Sequence, residues 1–161
     1  MSNTRQLVEN TAKIPVWYMQ NHSEERLAAL QGGVDGLGEH YSCVEGLEEY
    51  VKREGTIKNG LDADFSAVNW EVVYLIIRDW YRKDLWRKTP QSSVVCDYMG
   101  VKYEGGEYTA PDIEVTLQTF TRRSLTELCL ITNVNEETLR GWFKSMKVLF
   151  HSILEFTADA K

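Results

Sequence analysis

Apolar and polar residues follow two different periods along this chain. Between Phe65 and Arg87, Val72, Val73, Ile76, Ile77 and Trp80 fall on one broad face at helical spacing, while Arg78 and Arg82 fall opposite. The segment therefore reads as a central helix and the hub of the core. Thr89-Pro90 ends it, because proline disfavours helical geometry in the residue before it and lacks a backbone donor. From Ser92 to Thr109 the pattern changes. β-Branched and aromatic residues (Val94, Val95, Tyr98, Val101, Tyr103, Tyr108) surround Gly105-Gly106, which is the signature of a hairpin at about 92–109. Beyond the Ala110-Pro111-Asp112 break, Ile113–Arg122 fits a helix through Ile113, Leu117 and Phe120. It fits a strand equally well through Ile113, Val115 and Leu117; the helix is preferred.

Towards the N-terminus, Gln31–Gly38 concentrates four glycines and reads as a loop between a helix around Ser23–Leu30 and a second around Val44–Arg53. Ser42 with Glu45 has the spacing of a capping box for that second helix, and Gly55 is a natural stop. The fold class that follows is mainly α with one β-hairpin (α+β). Residues 1–110 form a helical platform that includes the hairpin, and residues 111–161 form a C-terminal region that can belong to the same compact domain.

Composition narrows the classes of function. The chain has 161 residues, 43% of them hydrophobic, and a formal charge of −6, which describes a folded, soluble protein able to bury a core without metal or disulfides. Cys43, Cys96 and Cys129 are odd in number, widely spaced and outside any C-x-x-C pair, so buried thiols in a reducing, cytoplasmic setting are expected. No targeting signal is expected in the first thirty residues. The longest apolar run, Val72–Ile77, is far short of a membrane span.

Enzyme signatures are thin. His22, His40 and His151 are scattered, and His40 and Cys43, three apart, have no further Cys or His nearby to complete a zinc site. Neighbouring sequence positions also do not by themselves make a nucleophile–base pair. The glycine loop lacks the Lys-Ser or Lys-Thr ending of a phosphate-binding loop, and Glu48, Glu49 and Glu54 read as the solvated face of a short helix. No cofactor, metal or catalytic residue is expected. Arg78–Lys88 interleaves five basic groups with three large aromatic rings, a pattern able to grip single-stranded nucleic acid. It is better explained by Trp80 in the buried stripe with basic side chains bordering it.

The informative segment is Thr126–Phe143. A short helix with Leu125, Leu128 and Cys129 turned inward leads to Asn133, which tolerates left-handed backbone better than most residues. Val134 plugs the corner, and Asn135 caps a second helix whose first turn carries Glu136 and Glu137. Leu139 and Trp142 return to the core. These residues resemble the helix-turn-helix of prokaryotic and phage regulators over about twenty residues. The departures are Asn133 where glycine is commonest and two glutamates at the front of the second helix.

The resemblance implies that the second helix enters the major groove of duplex DNA. Asn135, Glu136, Glu137, Arg140 and Lys144 would then face bases or phosphates, and Arg122, Arg123 and Lys147 would contact phosphates. Arg140 is also one turn from Glu136, the spacing of an intrahelical ion pair. From Lys144 to Phe156 the helical period continues without a breaker, so one helix of about five or six turns is expected. Its later apolar residues (Val148, Leu149, Ile153, Leu154, Phe156) would pack on the core or pair with a second copy in a homodimer. The expectation is a non-enzymatic transcriptional or replication regulator that binds duplex DNA. The alternative is a protein-interaction module, an inhibitor or adaptor, that presents an acidic surface to a protein partner.

Overall fold

A computed structural model describes residues 3–22, 44–58, 61, 63–82 and 92–158. The chain is mainly helical with one two-stranded antiparallel hairpin among these residues. It forms two compact units, Met1–Val95 and Cys96–Lys161. The hairpin belongs to the second. Among the described residues no helix is long and apolar enough to cross a membrane. The expected helix around Ser23–Leu30, the glycine loop, the Ser42 cap, the His40–Cys43 pair, the Thr89-Pro90 stop and residues 83–88 lie outside the described residues.

The N-terminal unit is built on α1 (Asn3–Asn21), α2 (Val44–Lys58), a 3-10 turn at Phe65–Ala67 and α3 (Trp70–Arg82). Sequence pattern does not announce α1, because Pro15 lies inside it. The helix nonetheless buries Val8, Thr11, Ala12, Ile14, Tyr18 and Met19, and these positions recur at three- and four-residue steps. α3 starts at Trp70 rather than at Phe65. Asn69 accepts from the Val72 amide through Oδ1 (3.2 Å) and donates its own amide to Thr11 Oγ1 (2.9 Å), so the chain is capped there and tied to α1.

The expected stripe on α3 is buried: Val72, Val73, Ile76, Ile77 and Trp80, joined by Leu75. Arg78, expected on the opposite, solvated face, is only 6% exposed. Its Nε and Nη2 donate to Asp79 Oδ1 at 3.3 and 3.2 Å, and this pairing offsets the cost of burying a cation. On α2, Gly55 is not a stop. It is buried inside the helix, where Leu61 packs so closely that an added Cβ would lie 2.8 Å from Leu61 Cδ2. An aromatic group ties α1 to α2: His22 stacks on Tyr18 (4.0 Å), donates through Nδ1 to the Tyr18 carbonyl, and accepts through Nε2 from the Tyr50 hydroxyl at 2.7 Å.

In the region expected to form a long hairpin, Ser92–Met99 is instead a helix, α4. Val95, Tyr98 and Met99 share a buried helical face while Ser93 is exposed, and that segregation overrides the β-branched composition. The hairpin is confined to β1 (Tyr103–Glu104) and β2 (Glu107–Tyr108), with Tyr103 opposite Tyr108 and Gly105-Gly106 in the turn. Below it the Lys102 carbonyl accepts from Thr109 N (2.8 Å) and the Gly100 carbonyl from Asp112 N (2.7 Å), so the excursion returns to its starting point.

The preferred helix over Ile113–Arg122 forms as α5 (Ile113–Phe120), capped by Asp112. α6 (Leu125–Thr132), α7 (Glu136–Ser145) and α8 (Lys147–Ala158) complete the C-terminal unit. Its core is Ile113, Leu117, Leu125, Leu128, Leu139, Phe143, Phe150 and Leu154. Tyr98 and Phe120 pack against His151 at 5.3 and 5.0 Å between ring centres, joining α4 and α5 to α8.

Gly100 is where α4 hands over to the hairpin. Its φ is +72°, and a Cβ there would press on the Asp112 carbonyl oxygen, Phe143 Cζ (2.8 Å) and Thr116 Oγ1 (2.9 Å). Gly100→Ala should therefore destabilise the protein by about 1–3 kcal/mol, read as a lower urea midpoint at unchanged slope. Gly105→Ala, at positive φ but with open space around it, should cost less.

Candidate nucleic-acid interface

The segment that resembles a helix-turn-helix is specified residue by residue. α6 opens with a complete capping box: Ser124 Oγ accepts from the Glu127 amide (3.1 Å), and Glu127 Oε1 accepts from the Ser124 amide (3.2 Å). It ends on Asn133, whose φ of 59° and ψ of 31° lie in the left-handed region; the Asn133 amide donates to Cys129 O at 2.9 Å. Thr132 Oγ1 donates to Leu128 O and accepts from the Val134 amide, closing the corner from inside. Asn135 is extended, and its Oδ1 accepts from the Thr138 amide at 2.8 Å to start α7. Three residues thus redirect the chain between two helices.

Packing decides which side of α7 faces outward. Leu139 and Phe143 are buried against Leu128 and Phe150, with Val134 partly buried at the corner. Phe143 takes the place expected of Trp142, which packs only partly against the same core. Cys129 is likewise partly rather than fully buried. Trp142 and Phe143 are three and four residues from Leu139, both same-face steps, so spacing does not choose between the two rings; the contacts of Phe143 with Phe150 and Lys147 do.

α7 does not run on into one long helix. At Met146 the backbone turns to φ −138° and ψ 61°, and α8 begins at Lys147. Lys147 is the reason it can stop there. Its ammonium donates to the Phe143 carbonyl at 2.9 Å and sits 3.9 Å above the Phe143 ring, closing the C-terminal end of α7 where a cation is favoured. Phe143 and Phe150 then meet edge to face at 5.4 Å across the break. Lys147, expected to contact phosphate, is 5% exposed and already engaged, so it leaves the list of interface cations.

The remaining residues divide into two groups. Asn135, Glu136, Glu137, Arg140 and Lys144 are exposed on one side of α7. Arg140 Nε donates to Glu136 Oε2 at 3.0 Å, a solvent-exposed pair worth only a few tenths of a kcal/mol and readily exchanged for another acceptor. Arg122 and Arg123 lie before α6, at the opposite end of that helix from the turn. Arg122 is exposed, has φ +59° and closes α5 through its amide to Leu117 O (2.9 Å); Arg123 is partly buried. α6 has eight residues and so spans about 12 Å, close to the width of the major groove.

Elsewhere, burial pushes the Cys96 thiol up to about 11, so it is protonated and a poor nucleophile at neutral pH. Among the described residues no cluster of His, Cys, Asp or Glu could hold a metal ion. Comparison with protein-family models, with characterised proteins and with solved structures gives no match to this chain.

The turn makes a direct prediction. Asn133→Val, which forces a β-branched side chain into left-handed backbone, should cost about 1–2 kcal/mol, whereas Asn133→Gly should be neutral or stabilising. Chemical denaturation of both variants checks this, and equal losses would show that the side chain rather than the backbone matters at this corner.

Proposed function

We propose that the protein is a sequence-specific, non-enzymatic binder of duplex DNA that acts through α7 as a transcriptional or replication regulator. One observation carries the reading. The left-handed turn at Asn133 and the burial of Leu139 and Phe143 leave a polar side of α7, from Asn135 to Lys144, facing solvent on a buried scaffold. On this reading Arg140 exchanges Glu136 for guanine O6 and N7, and Glu136 or Glu137 accepts from cytosine N4. Arg122 and Arg123, one length of α6 away, hold phosphates across the groove. A second copy of the chain would add a second half-site, and Leu149 and Phe156 remain exposed on α8 for such pairing.

A specific observation favours a second reading, that of a protein-interaction module. Residues 96–161 contain seven Lys and Arg against ten Asp and Glu, with Lys147 turned inward, and Leu130 on α6 is 79% exposed. A basic protein partner with an apolar contact would suit that surface.

Titration of labelled duplexes at several salt concentrations separates the two. DNA binding should weaken with salt, with a log–log slope of about −2 per chain from two phosphate contacts, and Arg122→Ala should reduce that slope by about 1. Arg140→Ala should cost about 1–3 kcal/mol on the preferred duplex and relax base preference. Absence of binding at low salt overturns the DNA reading.

A further inference from the structure

We infer that Gly141 sets how deeply α7 enters its target, so that the helix meets the floor of the DNA groove with bare backbone at that point. The inference rests on the duplex-DNA reading above and names the specificity-determining position within it. Gly141 lies in the interior of α7, where glycine is the poorest helix former apart from proline. Among the described residues nothing accounts for it. An added Cβ would have no atom within 4 Å, and the backbone there is not in the positive-φ region that calls for glycine. Gly55 and Gly100, by contrast, are crowded by their own neighbours.

Its place on the helix gives the absence of a side chain a meaning. At 3.6 residues per turn, Gly141 points about 180° away from the midpoint of Leu139 and Phe143, the two side chains that seat α7 on the core. It is therefore the leading edge of the helix, with Glu137 one turn before it and Lys144 one turn after. A helix carrying side chains all round is about 10–12 Å across and fills a major groove about 12 Å wide. Removing the foremost side chain lets the axis move in by about 3 Å, the difference between the radius with side chains and the radius of the backbone cylinder. At that depth Glu137 and Lys144, about 40° and 60° to one side of the contact line, reach base edges, with Arg140 about 100° round on that same side: the carboxylate accepts from cytosine N4, and the ammonium donates to guanine O6 or N7.

The test uses the full chain. Duplexes are selected from a random-sequence pool, and wild type, Gly141→Ala, Gly141→Leu and Gln118→Leu are then titrated with the selected duplex and with its scrambled counterpart. Gln118 is an exposed residue of α5 and serves as the matched control. Both Gly141 variants should melt at higher temperature than wild type. Gly141→Leu should bind the selected duplex more weakly by roughly tenfold or more and lose discrimination against the scrambled one, as overpacking at a tight contact implies. Gly141→Ala should fall between, and Gln118→Leu should match wild type. If wild type discriminates and Gly141→Leu binds equally well, this inference fails while the DNA reading stands. If Gly141→Leu melts lower than wild type, the glycine serves the fold and the inference is overturned. If wild type enriches no duplex, the DNA reading falls and takes this inference with it.

Discussion

The direction of α7 in the C-terminal unit depends on one backbone constraint: Asn133 must adopt left-handed geometry. With φ at 59° the amide of that residue returns to Cys129 O, α6 stops, and Val134 and Asn135 launch α7 in a new direction. Every later contact inherits that direction. Leu139 and Phe143 reach Leu128 and Phe150 only because α7 leaves the corner at this angle. A side chain that resists positive φ would set the local backbone against the hydrophobic core, and the core holds most of the stabilisation. Asparagine is the compromise, since its short polar side chain lowers the penalty that a branched one would carry.

How far the sequence discloses this structure depends on whether the signal is local. The capping chemistry of Asn135, the inward residues Leu128 and Leu139 and the left-handed role of Asn133 can all be read within a dozen residues, because each is a property of one turn of helix. Mainly helical architecture with one hairpin is legible for the same reason. The extent of the hairpin is not. Val94–Met99 is β-branched and aromatic by composition, and helix wins there only because Val95, Tyr98 and Met99 find a core to enter. α1 is hidden by Pro15, whose missing donor is a local objection that tertiary burial overrides. Arg78 and Lys147 show the same limit from the side of charge. Each looks like a solvated cation until its partner, Asp79 or the Phe143 carbonyl, is known.

Charge also bears on what the exposed side of α7 can attract. Lys147 has its ammonium committed to the end of α7, Arg140 is shared with Glu136, and the carboxylates at the front of that helix stand beside the positive end of its dipole. A surface so balanced attracts a polyanion weakly from a distance. Discrimination on the proposed interface would come at close range, from the shape and donor pattern of a groove, more than from long-range attraction.

The two ends of α7 are both pinned, by the Asn135 carboxamide at one and by the Lys147 ammonium at the other. A ten-residue helix held in this way would have little fraying left to lose on docking. The entropic penalty of ordering that surface is met at the folding step, so a partner would encounter a rigid rod whose side chains alone need to settle. Such preorganisation shifts discrimination towards how well the target's own shape accommodates the rod.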